Sequence, residues 1–296
     1  MYSCLAALAS LLRGTSRNLG TRPRRGRADL VHTCALVTLD NELRSILDAR
    51  AGVWGLYARR LDTNETVAIR AEEVMPAQSS VKVCVLLTYS RRVARGEETA
   101  ERRITVTSND HALGGGVLRY LTPGLSLTLG DLSWLMIVLS DNVATRILIR
   151  ELGGPDAVNA EMDDLGLPSL RVHDPTPGAS HDFSATPHDL AEIYTHVDER
   201  CREILYRREH VDFLPRRIPH LHDLIDHGLT APVRVYGKSG SGPCECIDAG
   251  LFETDASSWI VAAMAKDLPD LWQRPDFAGP RTLADIGETI FNAWGQ

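Results

Sequence analysis

Ser79-Ser80-Val81-Lys82-Val83-Cys84-Val85-Leu86-Leu87 sits in the first third of the chain and carries both an apolar run and a hydroxyl three residues before an amine. Its length and apolar content fit a buried strand or a buried helix. The β-branched Val81, Val83 and Val85 favour strand, and periodicity does not separate the two. The chemical consequence differs sharply. On a helix, positions 79 and 82 lie one turn apart on a common face, so an amine stands beside a hydroxyl. A hydroxyl needs such a base to become a nucleophile. Burial among the valines would disfavour the ammonium form of Lys82 and prepare it to accept a proton.

Upstream, Leu43, Ile46 and Leu47 recur at helical spacing and predict a helix from about residue 41 through residue 49, ending near Gly52. Residues 53–61 and 66–70 are short and rich in β-formers, and Asp62-Thr63-Asn64-Glu65 between them reads as a hairpin turn. Downstream, residues 131–152 read as a buried helix broken by Ser140-Asp141-Asn142 and closed by Gly153-Gly154. A second helix is expected over residues 187–197. Residues 166–186, with Pro168, Pro175 and Pro177, read as a long functional loop. Residues 233–237, 248–253 and 259–265 are strand-like, and residues 283–294 form an amphipathic terminal helix.

Strands early and late with helices between them predict an α+β fold: an antiparallel sheet built from N- and C-terminal segments, flanked by helices, with an all-helical lobe inserted. The expected organisation is a flexible Arg-rich extension over residues 1–38 and a catalytic domain over residues 39–296. Within that domain the α/β part takes about 39–78 and 228–296, and the helical lobe about 79–227.

Composition narrows the function. At 44% hydrophobic over 296 residues the chain can bury a substantial core. The 32 Lys and Arg against 39 Asp and Glu give a net charge of −7, which lacks the basic excess of a phosphate-tracking groove and argues against nucleic acid as partner. Six cysteines without a C-x-x-C pair read as free thiols, and Cys244-x-Cys246 lacks the second pair a zinc site needs. His220, His222 and His227, with Asp223 and Asp226, are irregularly spaced and read as a solvated surface. No metal and no cofactor is expected. No run approaches the ~20 apolar residues of a membrane span. The apolar run 4–12 has its arginines, Arg13 onward, after it rather than before it, the reverse of a secretory signal, so a cytoplasmic location is favoured over export.

Three short motifs stand in order: Ser79-x-x-Lys82, Ser140-Asp141-Asn142 and Lys238-Ser239-Gly240. Singly, each has an ordinary explanation as a cap, a helix-to-loop transition or an edge-strand lysine. Together they match the S-x-x-K, S-D-N, K-T-G set of serine penicillin-recognising enzymes. The chain here resembles the class A serine β-lactamases and their penicillin-binding-protein relatives. The likeness extends to Leu135–Thr145 around S-D-N and to Lys238-Ser239-Gly240-Ser241-Gly242 followed by Asp248-Ala249-Gly250.

The resemblance implies that Ser79 is the nucleophile of an acyl-enzyme mechanism with Lys82 as general base. Ser140 would relay a proton to the leaving group. Asn142 would hold the substrate amide, and Lys238 with Ser239 and Gly240 would receive a substrate carboxylate. The N–H groups of Ser79 and Ser241 would form the oxyanion hole. The expected partner is a small acyl substrate: a β-lactam, an ester or an amide.

One departure bears on turnover. Class A enzymes hydrolyse the acyl-enzyme with a water activated by glutamate in an E-x-x-x-N loop pattern. No asparagine occurs between Asn159 and Asn292, so that pattern is absent. Asp174 and Asp182 are the candidate replacements. A transacylase or D-Ala-D-Ala peptidase, or a sensor domain acylated once, therefore stands beside the hydrolase. Gly237-Lys238-Ser239 is no Walker motif, since Pro232 occupies the position of its first glycine. Gly114-Gly115-Gly116 reads as a close turn at the pocket rim.

Overall fold

The computed structural model describes residues 39–174, 182–219, 231–271 and 273–296. The expected N-terminal extension and the histidine group at 220, 222 and 227 lie outside them.

Residues 39–48 form helix α1, and strands β1 (Val53–Arg60) and β2 (Thr66–Ile69) follow as an antiparallel hairpin about the anticipated turn. From the far end of the chain come β8 (Arg234–Gly242), β9 (Glu245–Glu253) and β10 (Ser258–Lys266). They complete a five-stranded sheet in the order β2-β1-β10-β9-β8, antiparallel at every junction. The sheet joins both chain ends as the sequence suggests. Alternation sorts its side chains between two apolar clusters. Trp54, Leu56, Trp259, Val261 and Phe252 pack with Leu43, Leu47 and the terminal helix α8 (Ala278–Trp294), while Tyr57, Ile260, Ala262, Met264, Ala249 and Leu251 pack against the intervening helices.

The ambiguous stretch is helical. A 3-10 turn over Gln78–Val81 runs directly into α2 (Lys82–Ala94), whose residues from Lys82 through Ser90 are all buried. A helix enclosed on every side shows no amphipathic period, which is why the sequence left strand and helix open. Tertiary burial overrides the β preference of its valines. Around it stand α3 (Leu129–Val138), α4 (Asn142–Glu151), α5 (Pro155–Asp164) and α7 (Glu199–Tyr206). Thr128 and Asp131 form a capping box that starts α3.

Several expectations are revised. The break expected at Ser140-Asp141-Asn142 does separate α3 from α4, but the 233–237 strand is longer than expected and continues through Gly242, carrying Lys238-Ser239-Gly240 in β8. The 166–186 segment contains a hairpin of β6 (Arg171–His173) and β7 (Asp182–Ala185), and β7 also pairs with β3 (Met75–Pro76). These strands are too short to show alternation in sequence. The helix expected over 187–197 is α6 (Pro187–Glu192) and a 3-10 turn, Ile193–Thr195. A small ribbon of β4 (Arg103–Thr105) and β5 (Ser126–Thr128), together with α5 and α7, was not anticipated. No described helix is long and apolar enough to cross a membrane.

Candidate active site

Three segments converge on a cleft of about 570 Å³ whose walls include Ser79, Ser140, Asn142, Lys238, Ser239 and Ser241. The turn Gln78–Val81 places Ser79 one turn ahead of Lys82. Lys82 is fully buried, and its Nζ donates to the Ser140 carbonyl at 2.8 Å and to Asn142 Oδ1 at 2.7 Å, with Ser140 Oγ at 3.2 Å. From β8, the buried Lys238 Nζ donates to the same Ser140 Oγ at 3.1 Å and to its neighbour's carbonyl, Ser239 O, at 2.8 Å. One hydroxyl is thus flanked by two amines.

The S-D-N segment achieves this by breaking the helix. Ser140 takes φ +54°, a left-handed conformation unusual for a residue with a Cβ, and turns its side chain toward both lysines. Asp141, fully buried, secures the break. Its carboxylate accepts from Ala144 N at 3.0 Å, capping α4, and from Val117 N and Leu118 N at 2.7 and 2.9 Å. Gly116 (φ +97°) lies so close that a Cβ there would fall onto the Asp141 carboxylate, and a Cβ at Gly114 (φ +99°) would meet the Asn142 amide. The glycine triplet lets the rim pass over S-D-N, as its sequence suggests. Asn142 donates to Leu113 O at 2.7 Å, so its amide is tied to both Lys82 and the rim.

Burial dominates the electrostatics. It drives the Lys82 ammonium well below the usual lysine range, the Lys238 cation pushes the same way, and Asp141 opposes both. Lys238 is lowered to about 7, by burial first and by Arg208 second, with Asp248 opposing. A buried amine poised to accept a proton is the state a Ser–Lys nucleophile pair requires.

The Beta-lactamase enzyme family model matches residues 38–294 of this chain. The chain belongs to that family. Among relatives of this family member, the beta-lactamase of Streptomyces albus G is 36% identical over 117 residues, which cover 38% of this chain and 37% of that protein. The match therefore spans well under half the length of that relative. Among solved structures, a beta-lactamase from Sphaerobacter thermophilus superposes with a TM-score of 0.73 at 27% identity, covering 88% of this chain and 96% of the other. PBP-A superposes with a TM-score of 0.75 at 23% identity, covering 87% and 96%.

Of the residues this family member was expected to use, Ser79, Ser140, Asn142, Lys238, Ser239, Gly240, Ser241 and Asp182 line the cleft, and Lys82 lies buried behind Ser140. Asp174 is solvent-exposed and is absent from the described walls, whereas Asp182, on β7, stands among them with Phe183. The sequence reading missed two features. Arg208 and Asp248, both buried, form a bidentate pair at 2.6 and 3.2 Å beneath Gly237, and Asp248 also accepts from Leu214 N at 3.0 Å. No spacing signals Arg208, which reaches its partner from the loop after α7. His210, on the same loop, also lines the cleft, and desolvation together with the Lys238 and Arg208 cations favours its neutral form.

Proposed function

We propose that this protein is a serine hydrolase that opens β-lactams through an acyl-enzyme on Ser79. The observation that carries the reading is the meeting of Lys82, Ser140 and Lys238 around one hydroxyl in the wall of the cleft that Ser79 also lines. Ser79 Oγ attacks the lactam carbonyl as Lys82, neutral in its buried site, takes the hydroxyl proton. The new C–O bond forms at the expense of the lactam C–N bond. The proton passes through Ser140 to the departing nitrogen, and the Ser79 and Ser241 N–H groups hold the oxyanion. Asn142 positions the substrate amide. Lys238, with Ser239 and Gly240 beside it, receives the substrate carboxylate.

Deacylation needs a water and a base. Asp182 is the described carboxylate on β7 in the cleft wall, and its position supports it over Asp174. A second reading is favoured by the absence of the E-x-x-x-N pattern: a transacylase, D-Ala-D-Ala peptidase or sensor whose acyl-enzyme persists. Intact-mass measurement after mixing with benzylpenicillin separates them. A transient adduct with product release is expected for the hydrolase, a lasting adduct supports the second reading, and an unmodified protein sinks both. Ser79→Ala should take no adduct.

A further inference from the structure

The residue before the nucleophile is itself unusual. Gln78 has φ +48°, and its side-chain amide donates a hydrogen bond to the Glu245 carboxylate at the start of β9. A non-glycine residue holds the left-handed region only when its surroundings over-determine it. Glu245 pairs in register with Gly242, and a Cβ on Gly242 would collide with both the Glu245 carboxylate and the Gln78 amide. The Gln78–Glu245 pair therefore fills the space that a side chain at 242 would take.

We infer that the Gln78–Glu245 bond is a positioning clamp that keeps the backbone N–H of Ser241 in line with Ser79 for oxyanion stabilisation; this rests on the acyl-enzyme reading above. The β8–β9 hairpin touches the Ser79 turn at two points, and Ser241 lies between them. At one, Gly240 presses its backbone against Ala77 O and the N–H groups of Ser79 and Ser80, with room for no Cβ: the gaps would be 2.8, 2.8 and 2.9 Å. At the other stands the Gln78–Glu245 pair beside Gly242. Beyond Gly242 the hairpin turn is held by Leu268 N donating to Cys244 O at 3.0 Å, a bond that leads to the end of β10 and away from Ser79. Loss of the side-chain bond removes the tie between the Ser79 turn and the hairpin on the far side of Ser241, while leaving the Gly240 contact and the β8–β9 ladder in place. An oxyanion donor displaced by a fraction of an ångström loses much of its stabilisation of the transition state, and ground-state binding at Lys238 is spared. Glu245 is partly buried and its carboxyl is raised by that burial, with Gln78 opposing through its hydrogen bond. The acceptor is thus enclosed between Gln78 and the hairpin.

Single-turnover acylation by benzylpenicillin, read by stopped flow and intact mass over a range of concentrations, tests the clamp. Gln78→Ala and Glu245→Ala should each lower the limiting acylation rate by at least about tenfold, with half-saturation moving less than about threefold. The double variant should be no slower than the worse single one, since both remove the same bond. Glu245→Gln keeps an acceptor oxygen and should stay within about threefold of wild type, which also guards against a variant that merely fails to fold. Single variants that acylate at the wild-type rate, or effects that multiply in the double variant, overturn the clamp alone. A wild-type protein that takes no adduct overturns the clamp together with the acyl-enzyme reading.

Discussion

Lys82 and Lys238 donate to the same atom: Ser140 Oγ lies 3.2 Å from one Nζ and 3.1 Å from the other. A hydroxyl offers two lone pairs and one proton. Once Lys82 has taken a proton and Lys238 carries its charge, both amines face the oxygen as donors, and the hydroxyl's own proton is directed away from them, toward whatever occupies the cleft. Ser140→Ala should therefore slow acylation by benzylpenicillin by about 10²- to 10⁴-fold, the range for losing a positioned proton-transfer group. Stopped-flow acylation measures this directly, and a wild-type rate in the variant would remove Ser140 from the proton path.

If Lys238 receives the substrate carboxylate as proposed, binding should depend on pH. Its ammonium is lowered to about 7 by burial and by Arg208, so in the free enzyme its charge is present below pH 7 and lost above it. A carboxylate substrate recognised by that charge should show a KM that rises about tenfold between pH 6 and pH 8, as the protonated fraction falls. Lys238→Arg keeps its charge throughout and should flatten the profile. A KM for benzylpenicillin that is constant over that interval in the wild type would show that Lys238 does not carry carboxylate recognition.

Much of this arrangement is legible in the sequence because its parts are local. Ser79-x-x-Lys82 needs only one helical turn, the break at Ser140 is announced by three consecutive polar residues, and Lys238-Ser239-Gly240 is a short motif directly after a strand-like run. What the sequence leaves open is set by packing. Whether residues 79–87 are helix or strand depends on enclosure by α3, α4, α5 and α7, which no period in the stretch itself reports. The role of Asp141 as a clamp on Val117 and Leu118 is equally invisible, because its acceptors' partners lie more than twenty residues upstream. Arg208 and Asp248 meet across forty residues, and Gln78 and Glu245 across 167. Such pairs leave no spacing to read.

The Arg208–Asp248 pair should be costly to break and much less costly to replace. Both side chains are all but inaccessible to solvent. Asp248→Ala leaves a buried guanidinium uncompensated and Leu214 N–H without its acceptor, and should destabilise the fold by about 3–5 kcal/mol in urea unfolding. Arg208→Met combined with Asp248→Leu removes both charges and should cost less than the sum of the single substitutions. Equal additivity would show that the two groups do not interact. Arg208→Met alone also removes a cation that lowers Lys238, so the inflection in the KM profile should move to higher pH.

Gly240 tests whether the sheet edge must touch the nucleophile turn. A Cβ there would meet Ala77 O at 2.8 Å, Ser80 N at 2.8 Å and Ser79 N at 2.9 Å, all backbone atoms that cannot rotate out of the way. In Gly240→Ala, either β8 or the turn must retreat by several tenths of an ångström. On the proposed mechanism, retreat lengthens the distance from the Ser79 and Ser241 N–H groups to the oxyanion, whose stabilisation falls steeply with misalignment. Because the strand keeps its ladder with β9, overall stability should fall by only about 1–3 kcal/mol, the range for overpacking, while the acylation rate drops by about 10²-fold. Measuring both on one preparation decides the matter: a variant that loses stability yet acylates benzylpenicillin at the wild-type rate would mean that the close approach at Gly240 serves packing and not the geometry of the oxyanion site.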